Sequence, residues 1–305
     1  SPLERHVYMR APEGHEREGF CVKLERAIYG LCDAPAAYWK SFGLFLRSHQ
    51  ILPDYSDPCL YNSSNPKYTS LRILEYVDDL ILSGTAQDID EFLKDLKTKY
   101  EIRDYGYPRS CIGMEITKDN NRITLTQTKY IEQMTARFGL LDAHYVSTPM
   151  DPNSHLTSTD QSDTRPDPTL HRAMVGSLMY AQVRYRQMVG CINWVASSTR
   201  PDIAHAAHAL ARHLNHPSHA HMAAATRTCQ YLHSTRTLGV RYHARHTHFL
   251  TGYADADWAG CHDTRLSTSG RVFHLQGGAI MWSSTRQKSI ALSSAEAEIV
   301  SLSEA

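Results

Sequence analysis

The chain has 305 residues, 42% of them apolar, and 32 basic residues stand against 32 acidic ones. That length buries a real core and leaves room for about two domains of roughly 100–200 residues, which excludes disorder as the default; zero net charge excludes a global attraction to nucleic acid or an anionic membrane, so any polyanion is held by a local patch. No window approaches the roughly 18 consecutive apolar residues of a membrane helix, and Ser1-Pro2-Leu3-Glu4 carries neither an initiator Met nor a signal-peptide core.

Residues 1–30 are polar and broken by Pro and Gly; beyond them Tyr38, Phe42, Phe45 and Leu46 predict a helix over Ala34 to Gln50. From Ser70 to Ser83 the period shortens: Leu71, Ile73 and Tyr76-Val77 precede Asp78-Asp79, and Leu80-Ile81-Leu82 follow, which predicts a β-hairpin with acids at its tip. Ile89, Phe92, Leu93, Leu96 and Tyr100, behind Ser83-Gly84-Thr85, predict an amphipathic helix. Ile112, Met114 and Ile116 alternate, Asp119-Asn120-Asn121 turns, and Ile123 and Leu125 return as a second hairpin. A helix from Lys129 to Phe138 stops at Gly139.

Ser147 to Leu170 holds four of the 13 prolines and almost no large apolar side chain, which predicts a linker and a domain boundary. The chain then reads as mainly helical to about Leu232, and His171-Arg172-Ala173-Met174-Val175-Gly176 is echoed by Tyr185-Arg186-Gln187-Met188-Val189-Gly190. We read the echo as a local duplication that adds about four helical turns. Strands follow at Phe249 to Asp255, Gly270 to Gln276 and Ala279 to Ser284, with a Gly277-Gly278 turn, and Ser289 to Leu292 is a candidate fourth. Ser293-Ser294-Ala295-Glu296 reads as a capping box opening a helix whose Ala295, Ile299 and Leu302 share a face and which is still in progress at Ala305.

The seven cysteines are scattered and never form a Cys-x-x-Cys pair, which argues against a disulfide framework or zinc ribbon and for a reducing interior. The 18 histidines include ten between His205 and His248. His205 and His208 share a predicted helix and His216, His219 and His221 cluster, but no Cys or acid recurs at zinc-site spacing, so they read as solvated faces and loops.

Adjacent carboxylates at a rigid tip, such as Asp78 and Asp79, are able to hold a hard divalent cation, although Asp-Asp is also ordinary turn chemistry. Context separates the two readings. Tyr76-Val77-Asp78-Asp79, together with Val7-Tyr8-Met9-Arg10-Ala11-Pro12-Glu13-Gly14, Leu24-Glu25-Arg26-Ala27-Ile28-Tyr29-Gly30-Leu31, Ser56-Asp57-Pro58-Cys59-Leu60-Tyr61, Ser147-Thr148-Pro149-Met150 and Thr199-Arg200-Pro201-Asp202-Ile203-Ala204, resembles the reverse transcriptase of Ty1/copia-type LTR retrotransposons. Ala254-Asp255-Ala256-Asp257-Trp258-Ala259-Gly260, Ser267-Thr268-Ser269-Gly270 and Ala291-Leu292-Ser293-Ser294-Ala295-Glu296-Ala297-Glu298 resemble the RNase H domain of the same Pol polyprotein.

The resemblance implies an α+β chain: residues 1–146 as the C-terminal part of a reverse-transcriptase palm and the start of a thumb, 147–170 as linker, 171–245 as a helical connection, and 246–305 as the N-terminal half of an RNase H-like domain. It implies RNA-directed DNA polymerisation and hydrolysis of RNA–DNA hybrids by two-metal phosphoryl transfer with Mg²⁺ or Mn²⁺. Asp78 and Asp79 match polymerase metal ligands, Asp255 and Glu298 match ribonuclease ligands with Asp257 as second choice, and Tyr29-Gly30 matches the segment near the incoming nucleotide, where a turn explains Gly30 equally well. Glu296 is accounted for by capping. Implied partners are an RNA template, a DNA primer, dNTPs and the rest of the Pol polyprotein, which also serves DNA integration, in a cytoplasmic particle or the nucleus and with no membrane.

Two departures weaken this. Where the family block runs Lys-Gln-Ala-Pro-Arg-Ala-Trp, this chain has Cys32-Asp33-Ala34-Pro35-Ala36-Ala37-Tyr38, losing two cations and gaining an anion along a nucleic-acid track. The family's first polymerase Asp is also expected upstream of Val7, and its third ribonuclease carboxylate after the Glu298 helix. The chain assayed alone is therefore expected to show neither activity, and the competing class is a degenerate remnant that at most binds nucleic acid, more tightly below about pH 6 as histidines charge.

Overall fold

The computed structural model describes residues 2–15, 19–26, 28, 30–32, 34–76, 79–151, 156–158, 168–244 and 249–305, with side chains omitted for 2–4 and 168–181. Two compact units divide it, Ser1–Pro108 and Arg109–Ala305.

In the first unit β1 (Pro2–Met9) and β2 (Val22–Arg26) pair as an antiparallel hairpin. Helix α1 (Ala34–Ser48) precedes β3 (Ile51–Pro53), β4 (Leu60–Ser63), β5 (Arg72–Tyr76) and β6 (Asp79–Ser83), which form one antiparallel meander in chain order. Helix α2 (Ala86–Lys97) begins at Thr85, whose side chain accepts the Asp88 N–H and so satisfies one of the free donors of the first turn. Helical spacing buries Phe42, Phe45 and Leu46 of α1; strand alternation buries Leu71 and Ile73; Phe92 and Leu96 of α2 close the same core. Each such side chain contributes roughly 1.5–3 kcal/mol by burial.

In the second unit β7 (Ser110–Cys111), β8 (Met114–Asp119) and β9 (Arg122–Thr126) form an antiparallel sheet that β10 (Val240–His243) joins beside β9. Helices α3 (Thr128–Arg137), α4 (Pro168–Ser198), α5 (Ala204–Ala211) and α6 (His219–Ser234), with a 3-10 turn at Pro201–Ile203, pack around a core that includes Ile131, Met134, Tyr185, Ile192, Leu210 and Leu232. Strands β11 (Thr251–Ala256), β12 (Thr268–Leu275) and β13 (Gly278–Arg286) form a three-stranded antiparallel sheet, and α7 (Ser294–Ser303) lies on β11 and β12.

Several expectations are revised. The units divide at Pro108 and Arg109 instead of within 147–170, because β10 reaches back to pair with β9 and α3 packs on α6, which binds residues 109–138 to the helical region. Nor do 246–305 separate as a unit: the Tyr242 hydroxyl donates to Ala279 O at 2.7 Å and the His243 N–H to Gln276 O at 2.9 Å, so β10 also grips the β12–β13 end. Ile112 is not a strand residue; with Gly113 it forms a two-residue turn, at φ 49° and 71°, between paired Cys111 and Met114. The later turn is Gln276-Gly277, one residue earlier than Gly277-Gly278, again with both φ positive.

Residues 289–292 form no strand, because their backbone groups are taken by side chains: Ala291 O accepts from Trp258 Nε1 at 3.1 Å, and the Leu292 N–H donates to Glu296 at 2.7 Å. Helix α7 buries Ala297 and Ser301 and leaves Ile299 and Leu302 exposed, reversing the predicted face. Small side chains let the helix approach the sheet closely enough for two polar links, Ser301 Oγ to Asp255 O at 2.8 Å and Gln287 Nε2 to Ala297 O at 2.9 Å. The histidines are not all solvated: His213 and His221 are buried and stacked with ring centres 3.9 Å apart. His208 is half-buried, and burial, followed by neighbouring positive charge, holds its pKa below the usual range, so acidification charges it late. Both copies of the echoed hexapeptide fall within α4, the side chains of the first lying outside the described residues.

Candidate active sites

The first site stands on the β5–β6 hairpin. Tyr76 pairs with Asp79, and both are exposed; Val77 and Asp78 lie outside the described residues. Strand β5 alternates across the sheet, so with Leu71 and Ile73 inward Glu75 also points into the core. There it accepts the Tyr61 hydroxyl at 2.7 Å. Burial raises the Glu75 carboxyl above its ordinary value, partly offset by the Tyr61 bond, while burial and then the Glu75 carboxylate push the Tyr61 phenol up. Sequence reading passed over this buried acid four residues before Asp79, although strand parity marks it.

Tyr29 and Asp33 lie outside the described residues. Gly30 adopts φ 94° in the turn before α1, with open space where a Cβ would stand, so its left-handed conformation by itself accounts for the glycine. The block around Asp57 is a capped turn, its carboxylate accepting the Cys59 N–H at 2.8 Å.

The second site is built on β11 and α7. Asp255 pairs with Gly270 and is exposed; Glu298 is exposed on α7, one turn before the Ser301 that bonds Asp255 O. The helix bearing one carboxylate is thereby held to the strand residue bearing the other. Asp257 lies beyond the end of β11, where its carboxylate accepts the Thr268 N–H and its own N–H donates to Thr268 O at 3.1 Å, closing the loop 257–268. A Cβ on Gly260 would run into that carboxylate, which explains the glycine. Ser267 and Ser269 are buried; Ser267 Oγ accepts the Ala259 N–H at 3.0 Å, and Ser269 Oγ accepts from Gln287 Nε2 at 3.0 Å. Glu296 works at the helix start: its N–H donates to Ser293 Oγ, and its carboxylate takes the Leu292 N–H.

Oxygen ligands suit Mg²⁺ or Mn²⁺ in kind, and Asp255 and Glu298 are free of the structural bonds that occupy Asp257 and Glu296. Among the described residues no three acids, histidines or cysteines gather at metal-binding distance, so these two would hold a cation only with further oxygen ligands.

The molecule is thus an α+β protein in which the candidate acids Asp79 and Asp255 stand at ends of antiparallel strands and Glu298 stands on a helix. The family described as reverse transcriptase (RNA-dependent DNA polymerase) matches residues 1–152. The chain is 35% identical over 313 residues to the retrovirus-related Pol polyprotein from transposon TNT 1-94 of Nicotiana tabacum, covering 99% of this chain and 22% of that one. It is 32% identical over 300 residues to the corresponding polyprotein from transposon RE1 of Arabidopsis thaliana, covering 97% of this chain and 19% of that one. With the putative transposon Ty5-1 protein YCL074W of Saccharomyces cerevisiae it shares 28% identity over 313 residues, covering 100% of this chain and 96% of that protein. The chain belongs to the reverse transcriptase family of copia-type transposon Pol polyproteins. It spans about a fifth of the length of the two plant polyproteins. No solved structure matches it. Among the described residues no helix is long and apolar enough to cross a membrane.

Proposed function

We propose that this chain carries parts of two phosphoryl-transfer sites of a transposon Pol polyprotein: a polymerase site at Asp78 and Asp79, and an RNase H site at Asp255 and Glu298. The observation that carries the reading is the Ser301–Asp255 bond, which fastens an acid-bearing helix to an acid-bearing strand. Bound Mg²⁺ or Mn²⁺ would lower the pKa of the attacking hydroxyl or water and neutralise charge on the phosphoryl oxygens. Asp79, exposed at the head of β6, would present its carboxylate to such a cation beside a primer end, with Tyr76 opposite it in the pairing. Asp255 and Glu298 would do the same beside a hybrid strand, while Asp257 and Glu296 hold the loop and the helix start in place. The substrates would be an RNA template with a DNA primer and dNTPs, and an RNA–DNA hybrid, handled in a cytoplasmic particle or the nucleus.

The test is to graft residues 1–305 in place of the matched segment of the tobacco polyprotein and assay primer extension and hybrid degradation with Mg²⁺. Asp79→Asn is expected to lower extension by about 100-fold or more while sparing hybrid cleavage, and Asp255→Asn the reverse. A graft that binds nucleic acid and supports neither reaction would establish the competing reading, a non-catalytic remnant, which the charge losses at Cys32 and Ala36 favour.

A further inference from the structure

On one face of the β11–β12 pair, Phe249, Thr251, Tyr253, His274, Gln276 and Gly277 line an open cleft of about 250 Å³. Strand register builds it. Thr251 pairs with His274, and Tyr253 pairs with Val272, which in turn pairs with Trp282, so these side chains share one face of the sheet. On β13 that face is covered: the Trp282 indole donates to Ala196 O of α4 at 2.7 Å, and α5 packs on the strand. On β11 it is open. Thr251, Tyr253 and Asp255 are exposed, whereas Ala254 and Ala256, which alternate with them, are half-buried.

Three of the lining side chains are rings, and they are left in water: Phe249 is 89% and Tyr253 62% exposed. Tyr253 and His274 meet edge to face, with centres 5.9 Å apart and planes inclined by 61°, which leaves ring face open to a flat guest. Thr251 adds a hydroxyl, and Gln276 is anchored by its backbone O, which accepts the His243 N–H at 2.9 Å. The volume falls below the roughly 300–1,000 Å³ of sites that enclose a drug-sized molecule, so the cleft takes one planar ring and leaves the rest of its molecule outside.

The same register indicates what that ring is attached to. Tyr253 and Thr251 stand about 7 and 13 Å from Asp255 along the strand, on one stripe with it. Asp255 pairs with Gly270 and Gly270 with Ser284; in the next row Thr268 pairs with Arg286, so an exposed guanidinium follows on the same face past Asp255. Rings at one end and a cation at the other suit the bases and phosphates of a single strand, which stacks on aromatic side chains whatever its sequence. An apolar protein segment covering the stripe would instead bury the Asp255 charge.

We propose that this cleft binds an unpaired base of a single nucleic-acid strand, which runs along β11 past Asp255 toward Arg286. Only the meaning of that path, delivery of a strand to a ribonuclease site, rests on the catalytic reading of Asp255. Base binding needs no catalysis, so its failure leaves that reading standing, and loss of hybrid cleavage leaves the base site standing.

The test measures fluorescence anisotropy of a labelled single-stranded oligothymidylate, and of an abasic strand of the same length, titrated with the full chain. The oligothymidylate is expected to bind, and the abasic strand, which keeps every phosphate, to bind about 10-fold or more weakly. Phe249→Ala and Tyr253→Ala are each expected to weaken binding roughly 10-fold, while Tyr253→Phe, which keeps the ring, and Tyr145→Ala, an exposed ring outside the cleft, bind as the parent does. Arg286→Gln is expected to flatten the salt dependence; an unchanged dependence overturns the path past Asp255. The base site is overturned if the oligothymidylate fails to bind, if the abasic strand binds equally, or if both alanine variants match the parent. Binding of a tryptophan-containing apolar peptide in place of the strand overturns it in favour of a protein partner. Circular dichroism of each variant keeps a folding defect apart from a binding defect.

Discussion

Tyr61 donates its hydroxyl proton to Glu75 across 2.7 Å inside the first core, directly beneath the hairpin that carries Asp79. Burial raises the Glu75 pKa, so the folded chain keeps a proton that the unfolded chain releases near 4.5. Stability from this group is therefore greatest below about pH 4.5 and declines as pH rises through the folded value. Glu75→Gln keeps an acceptor for Tyr61 and removes the buried charge. Urea unfolding between pH 4 and 8 is expected to show the decline flattened and the variant more stable above pH 7 by about 1 kcal/mol. Parallel profiles for parent and variant would assign the titration elsewhere.

Arg200 is buried and reaches Asp202 with two nitrogens at 2.9 and 2.7 Å and Thr235 with two more contacts at 2.9 and 2.7 Å, while Tyr231 donates to the same Asp202 at 2.8 Å. Burial pushes the Asp202 carboxyl up, and Arg200 followed by Tyr231 more than offsets it, so its folded value lies below 3.8. The stability it adds is present above that pH and is lost as pH falls through the lowered value. Arg200→Ala, which leaves Asp202 and Thr235 without their partner, is expected to cost about 3–5 kcal/mol in denaturant melts, and Arg200→Lys most of that, since an ammonium does not reproduce the fork. A loss under 1 kcal/mol would show the network to be dispensable.

Cys261 is buried, yet its thiol is lowered to about 7: burial pushes it up, and hydrogen bonds from Thr264, the charge of Arg212 and the Asp263 backbone bring it down. Arg212 approaches the sulfur at 2.7 Å. The stabilisation from this thiolate is present above the unfolded value of 9.0 and fades as pH falls through about 7. The ultraviolet difference titration between the chain and Cys261→Ser is expected to show a midpoint near 7, moved upward by Arg212→Gln; a midpoint unmoved by that change would remove Arg212 from the account.

The two glutamates of α7 separate by measurement. Ser293→Ala deletes the acceptor for the Glu296 N–H and is expected to cost about 1 kcal/mol of stability. Glu296→Gln retains an oxygen for the Leu292 N–H and is expected to change stability by under about 0.5 kcal/mol. In the grafted polyprotein Glu298→Gln is expected to lower hybrid cleavage as Asp255→Asn does, with Glu296→Gln near the parent level. The opposite order would make Glu296 the ligand and its helix-start contact secondary.

Local patterns carried much of the fold. The spacing of Phe42, Phe45 and Leu46, the alternation of Leu71 and Ile73, the Thr85 cap and the Asp119 to Arg122 turn all appear where sequence period and turn chemistry put them. The family blocks agree with the copia-type Pol relatives of the chain. Placement of the candidate acids was legible to the level of element: Asp79 at a strand head, Asp255 in a strand, Glu298 on a helix.

What the sequence by itself determined is therefore what neighbours along the chain decide: helix and strand period, capping, turns, and kinship to copia-type Pol polyproteins. Only the tertiary structure decided matters that depend on residues far apart. It turned α7 so that Ala297 and Ser301 face the sheet, because a close polar seat on Asp255 and Gln287 outweighed the apolar spacing of Ile299 and Leu302. It joined residues 109–138 to the helical region through the β9–β10 pairing, a contact more than a hundred positions apart that no local window contains. It tied up Asp257 and Glu296 in backbone bonds and left Asp255 and Glu298 outside those bonds, a distinction between identical side chains that only their surroundings make.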